Sequence, residues 1–466
     1  MDTSMGDKRG MILSEILLAG AIISIALGSV VIVVASLQAM LISTQNNFEA
    51  QLKAREDISI AHLTPFDELS VYEKRDGAFL TKFNTSFRNS FTTNISADVS
   101  WEEGVTRKHR VLTDQIVDWK NAVGAEDCDW LDGAKDNLPI SNFGVLNADP
   151  GNPITDVAAF GDYVYVSADS ATSSLPDLYV IDVHDIRRPQ IVSHINTGPG
   201  IAAIAVAKNY VFAANAGSYQ MQIINVTDPL HPTLTAQAKL PGVVISGSAG
   251  YGQSVHYYAQ KMFIGLTKNA GPEFHVVDVS RPESPIALGS FEVGSTVNDI
   301  DVQGNKAVIV SPGQISAFLL NIANPNLVSE VARASFVGWQ TQGAQSVEML
   351  GEDIAIGRSL GGFYSPYPEL MLQGRDSISL VSSSLKNDAT IENMLGFNDY
   401  LYLVTSNPSA AFQIVQTGLA AASPGAPIVA RATPLSSRGV ALTCNSKAMY
   451  VVSQDDQDFF HIFLSS

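Results

Sequence analysis

The segment DLYVIDVHDIRRPQIVSHINTGPG, residues 177–200, holds an apolar strand pattern, a polar turn containing Pro, and a second strand pattern. The same order of features recurs in MQIINVTDPLHPTLTAQAKLPG at 221–242 and in FHVVDVSRPESPIALGSFEVGS at 274–295. Runs of β-branched and aromatic residues bounded by Asp, Ser, Gly and Pro are typical of strands joined by tight turns. The chain therefore repeats one supersecondary unit, and this repeat decides its fold.

Two further strand patterns precede each of these segments, as in DVAAFGDYVYVSA at 156–168. A complete unit thus has four short strands, and the units follow one another with a period of roughly 45–50 residues, which is the signature of a β-propeller blade. Weaker copies begin near Val297, Gln345, Ile391 and Gly439. The count predicts a seven-bladed β-propeller over residues 138–466.

The third-strand patterns LYVIDV, MQIINV and FHVVDV, each followed by a turn with Pro, resemble those of the LVIVD-repeat propellers of bacterial and archaeal surface proteins. The seventh copy has only three strand patterns before the chain ends. The segment NLPISNFGVLNADPG at 137–151 aligns with the fourth strand of the first copy, so we expect it to complete the last blade and to remove two open sheet edges. This closure places the loops that join the second and third strands, and those between blades, on the face away from the N-terminal region.

The N-terminal part of the chain has a different sequence pattern, without the four-strand repeat. From Met11 to Ile42 the only charged residue is Glu15, and the run is long enough to cross a bilayer as a helix. Lys8 and Arg9 precede it, which predicts a cytoplasmic N-terminus in the cytoplasmic membrane with the bulk of the protein outside.

The octapeptide KRGMILSE at 8–15 resembles the processing site of type IV prepilins and pseudopilins. The resemblance implies that a prepilin peptidase cuts between Gly10 and Met11 and methylates Met11. It also implies that Glu15, the fifth mature residue, pairs with the N-terminal amine of a neighbouring subunit, because a buried carboxylate and a buried ammonium satisfy each other. An ordinary signal anchor is the alternative. The resemblance divides the N-terminal region into a leader (1–10) and a pilin helix (11–64) with its membrane part at about 11–42.

The segment 65–125 predicts a small pilin-like β domain. Ile95, Ala97, Val99 and Trp101 alternate with polar residues, and Gly104 marks a turn before a second strand pattern. Residues 126–137 form a linker. The predicted fold class is therefore mainly β with a long N-terminal α-helix: a pilin-like α+β stalk followed by the propeller.

Composition excludes several classes of function. The formal charge is −18, with 46 acidic against 28 basic residues, and such a surface repels nucleic acid. The histidines form no zinc-binding spacing, and no nucleophile elbow is present, so we expect no enzyme activity and no cofactor or metal. Asp127, Asp129, Asp132 and Asp136 have the spacing of hard-cation ligands but lack the Glu of a calcium loop, which favours a solvated linker.

The two cysteines, Cys128 and Cys444, are expected to form a disulfide. Cys444 ends the first strand of the seventh blade, and Cys128 lies shortly before the strand expected to close the same blade. An extracellular location permits oxidation. Two unrelated thiols are the alternative.

The segment GRSLGGFYSPYPELMLQGRDS at 357–377 is predicted to be the longest loop on the outward face. Its aromatic residues Phe363, Tyr364 and Tyr367 are candidate anchors for a sugar or a protein surface. The alternative is that they fold against their own blade.

Together these features predict a minor pilin or pseudopilin that displays a propeller on a type IV pilus-like filament, at the cell surface, for adhesion or recognition. Its partners would be other pilin subunits, prepilin peptidase and an unknown surface, glycan or protein ligand. Two alternatives stay open. One is a propeller enzyme displayed on the pilus or membrane, for which Asp156 and Asp299 are the clearest acids near the starts of innermost strands. The other is a secretion-system pseudopilin that contacts cargo.

Overall fold

A single long helix opens the chain. In this computed structural model, α1 spans Asp7–Leu63, 57 residues without Pro. Within Leu17–Leu63 its most apolar window of 18 residues has a mean hydropathy of 2.7 and is not buried within the molecule, so by length and composition α1 could cross a membrane. The structure describes residues 7–64, 69, 71–89, 92–117, 128, 146–147, 149, 151–169, 174–335, 343–350, 353–359, 369–374, 384–386, 389–397, 400–416, 428–455 and 457–464.

The chain divides into two compact units, Met1–Thr85 with Asn94–Ile116, and Ser86–Thr93 with Val117–Ser466. In the first unit, the second half of α1 packs through Ala50, Ala54 and Ala61 against a four-stranded antiparallel sheet. The expected alternation holds there, since Ile95, Ala97, Val99 and Trp101 are buried. Gly104 makes the turn between the last two strands with a φ of +64°, which favours glycine. The strands are β1 (Tyr72–Asp76), β2 (Phe79–Asn89), β3 (Thr92–Glu103) and β4 (Thr106–Val117).

The second unit contains, in its described part, seven consecutive antiparallel sheets in which each strand pairs with the next along the chain. We name them blades 1 to 7 and letter the strands of each blade a to d. Blades 1 to 3 contain β5 (Ile154–Phe160), β6 (Tyr163–Ala168), β7 (Leu178–Asp182), β8 (Gln190–Ile195); β9 (Ile201–Ala207), β10 (Tyr210–Asn215), β11 (Met221–Asn225), β12 (Thr233–Ala238); β13 (Gly252–Tyr258), β14 (Lys261–Leu266), β15 (Phe274–Asp278) and β16 (Ile286–Phe291).

The remaining blades follow the same plan, and blade 7 has three strands in the described part. They contain β17 (Asp299–Gln303), β18 (Lys306–Val310), β19 (Ala317–Asn321), β20 (Ser329–Ala334); β21 (Ala344–Leu350), β22 (Asp353–Arg358), β23 (Glu369–Gly374), β24 (Ser384–Lys386); β25 (Ile391–Phe397), β26 (Tyr400–Thr405), β27 (Phe412–Gln416), β28 (Ile428–Thr433); β29 (Gly439–Cys444), β30 (Met449–Ser453) and β31 (Phe460–Phe463).

The a strands close the blades into a ring. Each a strand contacts the a strand of the next blade, and β29 of blade 7 contacts β5 of blade 1. The b and c strands are apolar on both faces because each blade is covered by a neighbour on either side, as in β6, where every residue from Val164 to Ala168 is buried. The second unit is a seven-bladed β-propeller, and the predicted fold class is confirmed.

The seam between blades 7 and 1 carries polar contacts beside its apolar cluster. Asn445 Nδ2 donates to Gly161 O at 2.9 Å, Lys447 pairs with Asp162, and Gln454 donates to Ile154 O. Leu146 packs against Phe459 in the same cluster, and its carbonyl accepts from Phe459 N at 3.5 Å. Asn147, Asp149 and Gly151 are also described and belong to no strand, and the other residues of the segment expected to close blade 7 lie outside the described residues.

One predicted boundary is wrong. The long loop expected at 357–377 contains a strand, because β22 runs to Arg358 and β23 occupies Glu369–Gly374, where Leu370 pairs with Gly357. The segment ELMLQG lacks β-branched residues, so its intrinsic strand preference is weak, and pairing with β22 overrides that preference. The connection between these strands is thus limited to 359–368.

The two cysteines are joined in the structure. Cys128 and Cys444 are bonded, with Cα atoms 5.6 Å apart and a sequence separation of 316 residues. Both are buried and belong to the apolar cluster between blades 6 and 7. The bond fixes the chain that leads into the propeller to the end of β29.

We expect non-reducing peptide mapping of the folded protein to recover the Cys128–Cys444 pair. Replacing both cysteines by Ser should then lower the stability of the propeller by about 4–5 kcal/mol, because the unfolded chain regains the entropy of a very long loop. Thermal unfolding of the second unit, compared with an unreduced wild type, measures the loss. Free alkylation of both thiols without a reductant would contradict the pairing.

Candidate functional site: the axial channel and its mouth

The a strands line an axial cavity of about 300 Å³. Asp156 and Asp299, the two acids noted in the sequence, both border it, although their strands lie in blades 1 and 4. They occupy the same register, since Asp156 pairs with Ser167 and Asp299 with the equivalent Val310. The structure thus brings together two carboxyl groups that are far apart in the chain.

Two further carboxyl groups, which sequence reasoning missed, border the same cavity: Asp301 and Glu348. Asp301 follows Asp299 by two residues, so it points to the same side of its strand. Glu348 occupies the equivalent position in blade 5. It pairs with Ala355 on β22, just as Asp301 pairs with Val308 on β18. Two features of the sequence indicate these residues: Asp301 lies two residues after Asp299 on the same a strand, and Glu348 lies about one blade period after Asp301.

All four carboxyl groups accept hydrogen bonds from the next blade. The a strand is the edge strand of its sheet, so part of its backbone N–H groups have no partner within the sheet. Asp156 Oδ2 accepts from Ile204 N at 2.9 Å. The other three bonds are Asp299 Oδ2 from Val347 N at 2.9 Å, Asp301 Oδ2 from Met349 N at 2.6 Å, and Glu348 Oε1 from Gly396 N at 2.9 Å.

Neutral side chains make the same kind of contact at other junctions. Asn393 has the register of Asp156 and Asp299, and its Oδ1 accepts from Leu442 N at 3.4 Å. Ser254 and Ser346 at that register donate instead to Val297 O and Ile391 O. The carboxyl groups are therefore members of a set of inter-blade contacts around the channel.

The environment of the channel shifts the ionisation of these acids. Burial raises the pKa of Asp156 and of Asp299 to about 7, although each accepts two backbone N–H groups, which act in the opposite direction. Burial, together with the charges of Asp301 and Asp299, raises the pKa of Glu348 well above its ordinary range. Desolvation thus outweighs hydrogen bonding at these positions.

One histidine shares the cavity. His256 Nδ1 lies 3.7 Å from Asp301 Oδ1, and burial lowers the pKa of His256 despite the nearby carboxylate. The described lining contains no Lys or Arg. Among the residues that the structure describes, no three His, Cys, Asp or Glu side chains are arranged to hold a metal ion. The channel is thus an acidic, partly protonated lumen.

A second cavity, of about 410 Å³, forms the mouth of the channel. It shares Thr155, Ala202, Gln253 and Val440 with the axial cavity. Its other described lining residues come from the starts of a strands, the ends of b strands and the adjoining loops. These parts of the blades lie on the face of the propeller that is predicted to point outward. They include Asp169, Tyr251, Arg438 and Gln454.

The other predicted site residues are placed as follows. Gly10, Met11 and Glu15 lie in the first turns of α1, but their side chains are outside the described part. Phe363, Tyr364 and Tyr367 lie outside the described residues altogether. The Asp127, Asp129, Asp132 and Asp136 cluster also lies outside them.

Comparison with solved structures finds propellers. The periplasmic gluconolactonase PpgL of Pseudomonas aeruginosa is similar with a TM-score of 0.52 and 10% identity, over 83% of this chain and all of that one. A protein from Lactobacillus plantarum is similar with a TM-score of 0.50 and 11% identity, over 74% and 94% of the two chains. At these identities the likeness concerns the fold alone. No family model and no curated protein sequence matches the chain.

The raised pKa values predict that the propeller loses stability as pH rises from about 4 to about 7. The unfolded state releases the protons of Asp156 and Asp299 near pH 4, whereas the folded state holds them until about pH 7. The effect is at most roughly 4 kcal/mol per carboxyl group. Replacing Asp156 or Asp299 by Asn should therefore stabilise the protein at pH 8 and leave it nearly unchanged at pH 4.

Thermal unfolding at several pH values measures this, as the difference between wild type and variant. The difference is needed because buried His461, whose pKa falls to about 4, favours unfolding as pH decreases. Asn393→Asp is the matched control, since it places a carboxyl group at the same register and should lower stability at pH 8. Equal pH profiles for wild type and both Asp→Asn variants would contradict the prediction.

Proposed function

We propose that this protein is a minor pilin or pseudopilin that displays a β-propeller binding domain on a type IV pilus-like filament. The observation that carries the proposal is the position of the Gly10–Met11–Glu15 motif at the start of a continuous 57-residue helix. A cut before Met11 would leave that helix almost whole.

The two parts of α1 support this role in different ways. The apolar part exposes large side chains such as Leu17, Ile25 and Val31, which need either lipid or neighbouring helices around them. The second part packs on the four-stranded sheet through small side chains, which allow a close approach. A helix that is free in its first half and covered by a sheet in its second half suits a subunit that moves from membrane to filament.

Glu15 is the residue through which the helix would bind a neighbouring subunit. An ionisable side chain inside an apolar segment costs a few kcal/mol unless it is paired. The proposed partner is the methylated amine of Met11 in a neighbouring subunit. Such a pair forms only when the helices are in register, so it would select correctly placed subunits.

The propeller supports a binding role. Its bulk exceeds that of the four-stranded sheet, so we place it at the filament tip or in few copies, where it does not obstruct packing. The four channel carboxyl groups are occupied by backbone amides of the adjacent blades, which favours recognition over the alternative of a displayed enzyme. A secretion-system pseudopilin that contacts cargo uses the same parts and differs in the machine that it joins.

Processing is the first expected outcome. Mass spectrometry of the mature protein from its native host should find an N-methylated Met11 and no residues 1–10. Gly10→Leu should abolish the cut, because the peptidase of the resembled family acts after Gly. A mature protein that retains Met1, or that is cut near residue 40, would overturn the assignment.

Incorporation is the second expected outcome. Glu15→Ala should leave the cut intact and reduce the amount of protein in isolated filaments several-fold, because the neighbouring ammonium loses its partner. Glu56→Ala, a change of an exposed glutamate on the same helix, is the control and should incorporate normally. Imaging of labelled propellers on filaments measures both variants, and absence of the wild type from every filament would refute the proposal.

A further inference from the structure

The mouth cavity carries polar groups that the fold itself does not use. Asp169, Tyr251 and Gln253 border the cavity, and within the described part of the chain their side chains make no hydrogen bond. Arg438, about half exposed, also borders it, and its Nη1 lies 3.9 Å from Glu392 Oε1. These four side chains come from blades 1, 3 and 7, so the ring closure brings them to one place.

From this arrangement we propose that the mouth of the channel is a binding site for an uncharged, polyhydroxylated ligand, such as the end of a neutral glycan. The inference rests on the proposed function, because it names the class of ligand that the displayed propeller would hold.

The chemistry of the lining selects hydroxyl groups. A sugar hydroxyl both donates and accepts hydrogen bonds. Asp169 offers acceptors, Arg438 offers donors, and Gln253 and Tyr251 offer both. The ring of Tyr251 adds an apolar face with a polar end, which suits the mixed surface of a sugar. The described aliphatic lining consists of Pro153, Ile154, Ala202, Ala216 and Val440, of which Ile154 is buried, so it offers little apolar surface to a peptide side chain.

The charges around the mouth select a neutral ligand. The channel directly below contains Asp156, Asp299, Asp301 and Glu348, and the ionised fraction of these carboxyl groups opposes an anionic ligand. Arg438 at the rim opposes a cationic one. The cavity of about 410 Å³ lies within the range of roughly 300–1,000 Å³ that is common for small-ligand sites.

One wall of the mouth is held in place before any ligand arrives. The loop before β13 is tied to the loop after β14, since Thr267 Oγ1 donates to Ser248 O at 2.7 Å and accepts from Tyr251 N at 2.9 Å. Asn269 Oδ1 accepts from Gly271 N at 2.7 Å and from Val244 N at 3.2 Å. A site built on such a frame loses little freedom on binding, which favours affinity.

The test uses the full-length protein in detergent micelles on an array of neutral and acidic glycans, followed by calorimetric titration with the best neutral binder. Wild type should bind at least one neutral glycan. Gln253→Ala and Asp169→Asn should each weaken binding about tenfold or more without changing the melting temperature. Gln237→Ala, on the exposed d strand of blade 2, is the matched control and should bind as wild type does.

Several results would overturn the inference: no neutral glycan bound by wild type, equal binding by wild type and both mouth variants, or equal loss in the Gln237→Ala control. Binding restricted to acidic glycans and abolished by Arg438→Gln would also overturn it, because the ligand would then be anionic. Filament incorporation is read separately by imaging. A propeller that enters filaments but binds no glycan refutes only this inference, and one that binds glycans but never enters filaments refutes only the proposed function.

Discussion

The propeller depends on packing between adjacent blades. Each apolar cluster of the second unit joins residues of two neighbouring blades, such as Tyr165 of blade 1 with Val211 of blade 2. No blade covers both faces of its own b and c strands, so a blade without neighbours would expose two apolar surfaces. The ring must therefore close to be stable, and the contacts at the seam between blades 7 and 1 have the same importance as the contacts within a blade. Every feature of the channel follows from this closure.

Ring closure brings backbone polar groups that lack partners together at the axis. The a strands converge there with unpaired edge amides, and water has limited access to them. Serine, asparagine and carboxyl side chains supply the missing acceptors and donors. A carboxyl group is a strong acceptor, but its ionised form is costly in a cavity shared with three others. The carboxyl groups thus stabilise the junctions between blades at the axis. Their ionisation at higher pH, however, destabilises the folded state. The same crowding makes the lumen acidic and gives the mouth, where Arg438 balances Asp169, a different character.

Much of this could be predicted from the sequence because the strongest signals are periodic. The helix, the alternation from Ile95 to Trp101, the blade starts near Ile391 and Gly439, and the seven blades all follow from local patterns. The boundary of β23 could not be predicted, since its residues have weak strand preference and only pairing with β22 decides their conformation. Asp156 and Asp299 stood out as acids, but their proximity depends on ring geometry that no local pattern contains. Asp301, Glu348 and the mouth residues escaped notice because their neighbours come from other blades. Phe363, Tyr364 and Tyr367 stay a prediction.

The bond between Cys128 and Cys444 has a mechanical consequence. When a chain is pulled by its N-terminal helix while its propeller holds a ligand, tension enters the second unit through the residues just before Cys128. The covalent bond passes this load directly to the end of β29, the innermost strand of blade 7. Residues 129–146 come after the bond in the chain, so the bond shields them from this load. Without the bond, the same load would pass along residues 129–146 and enter the propeller at blade 1.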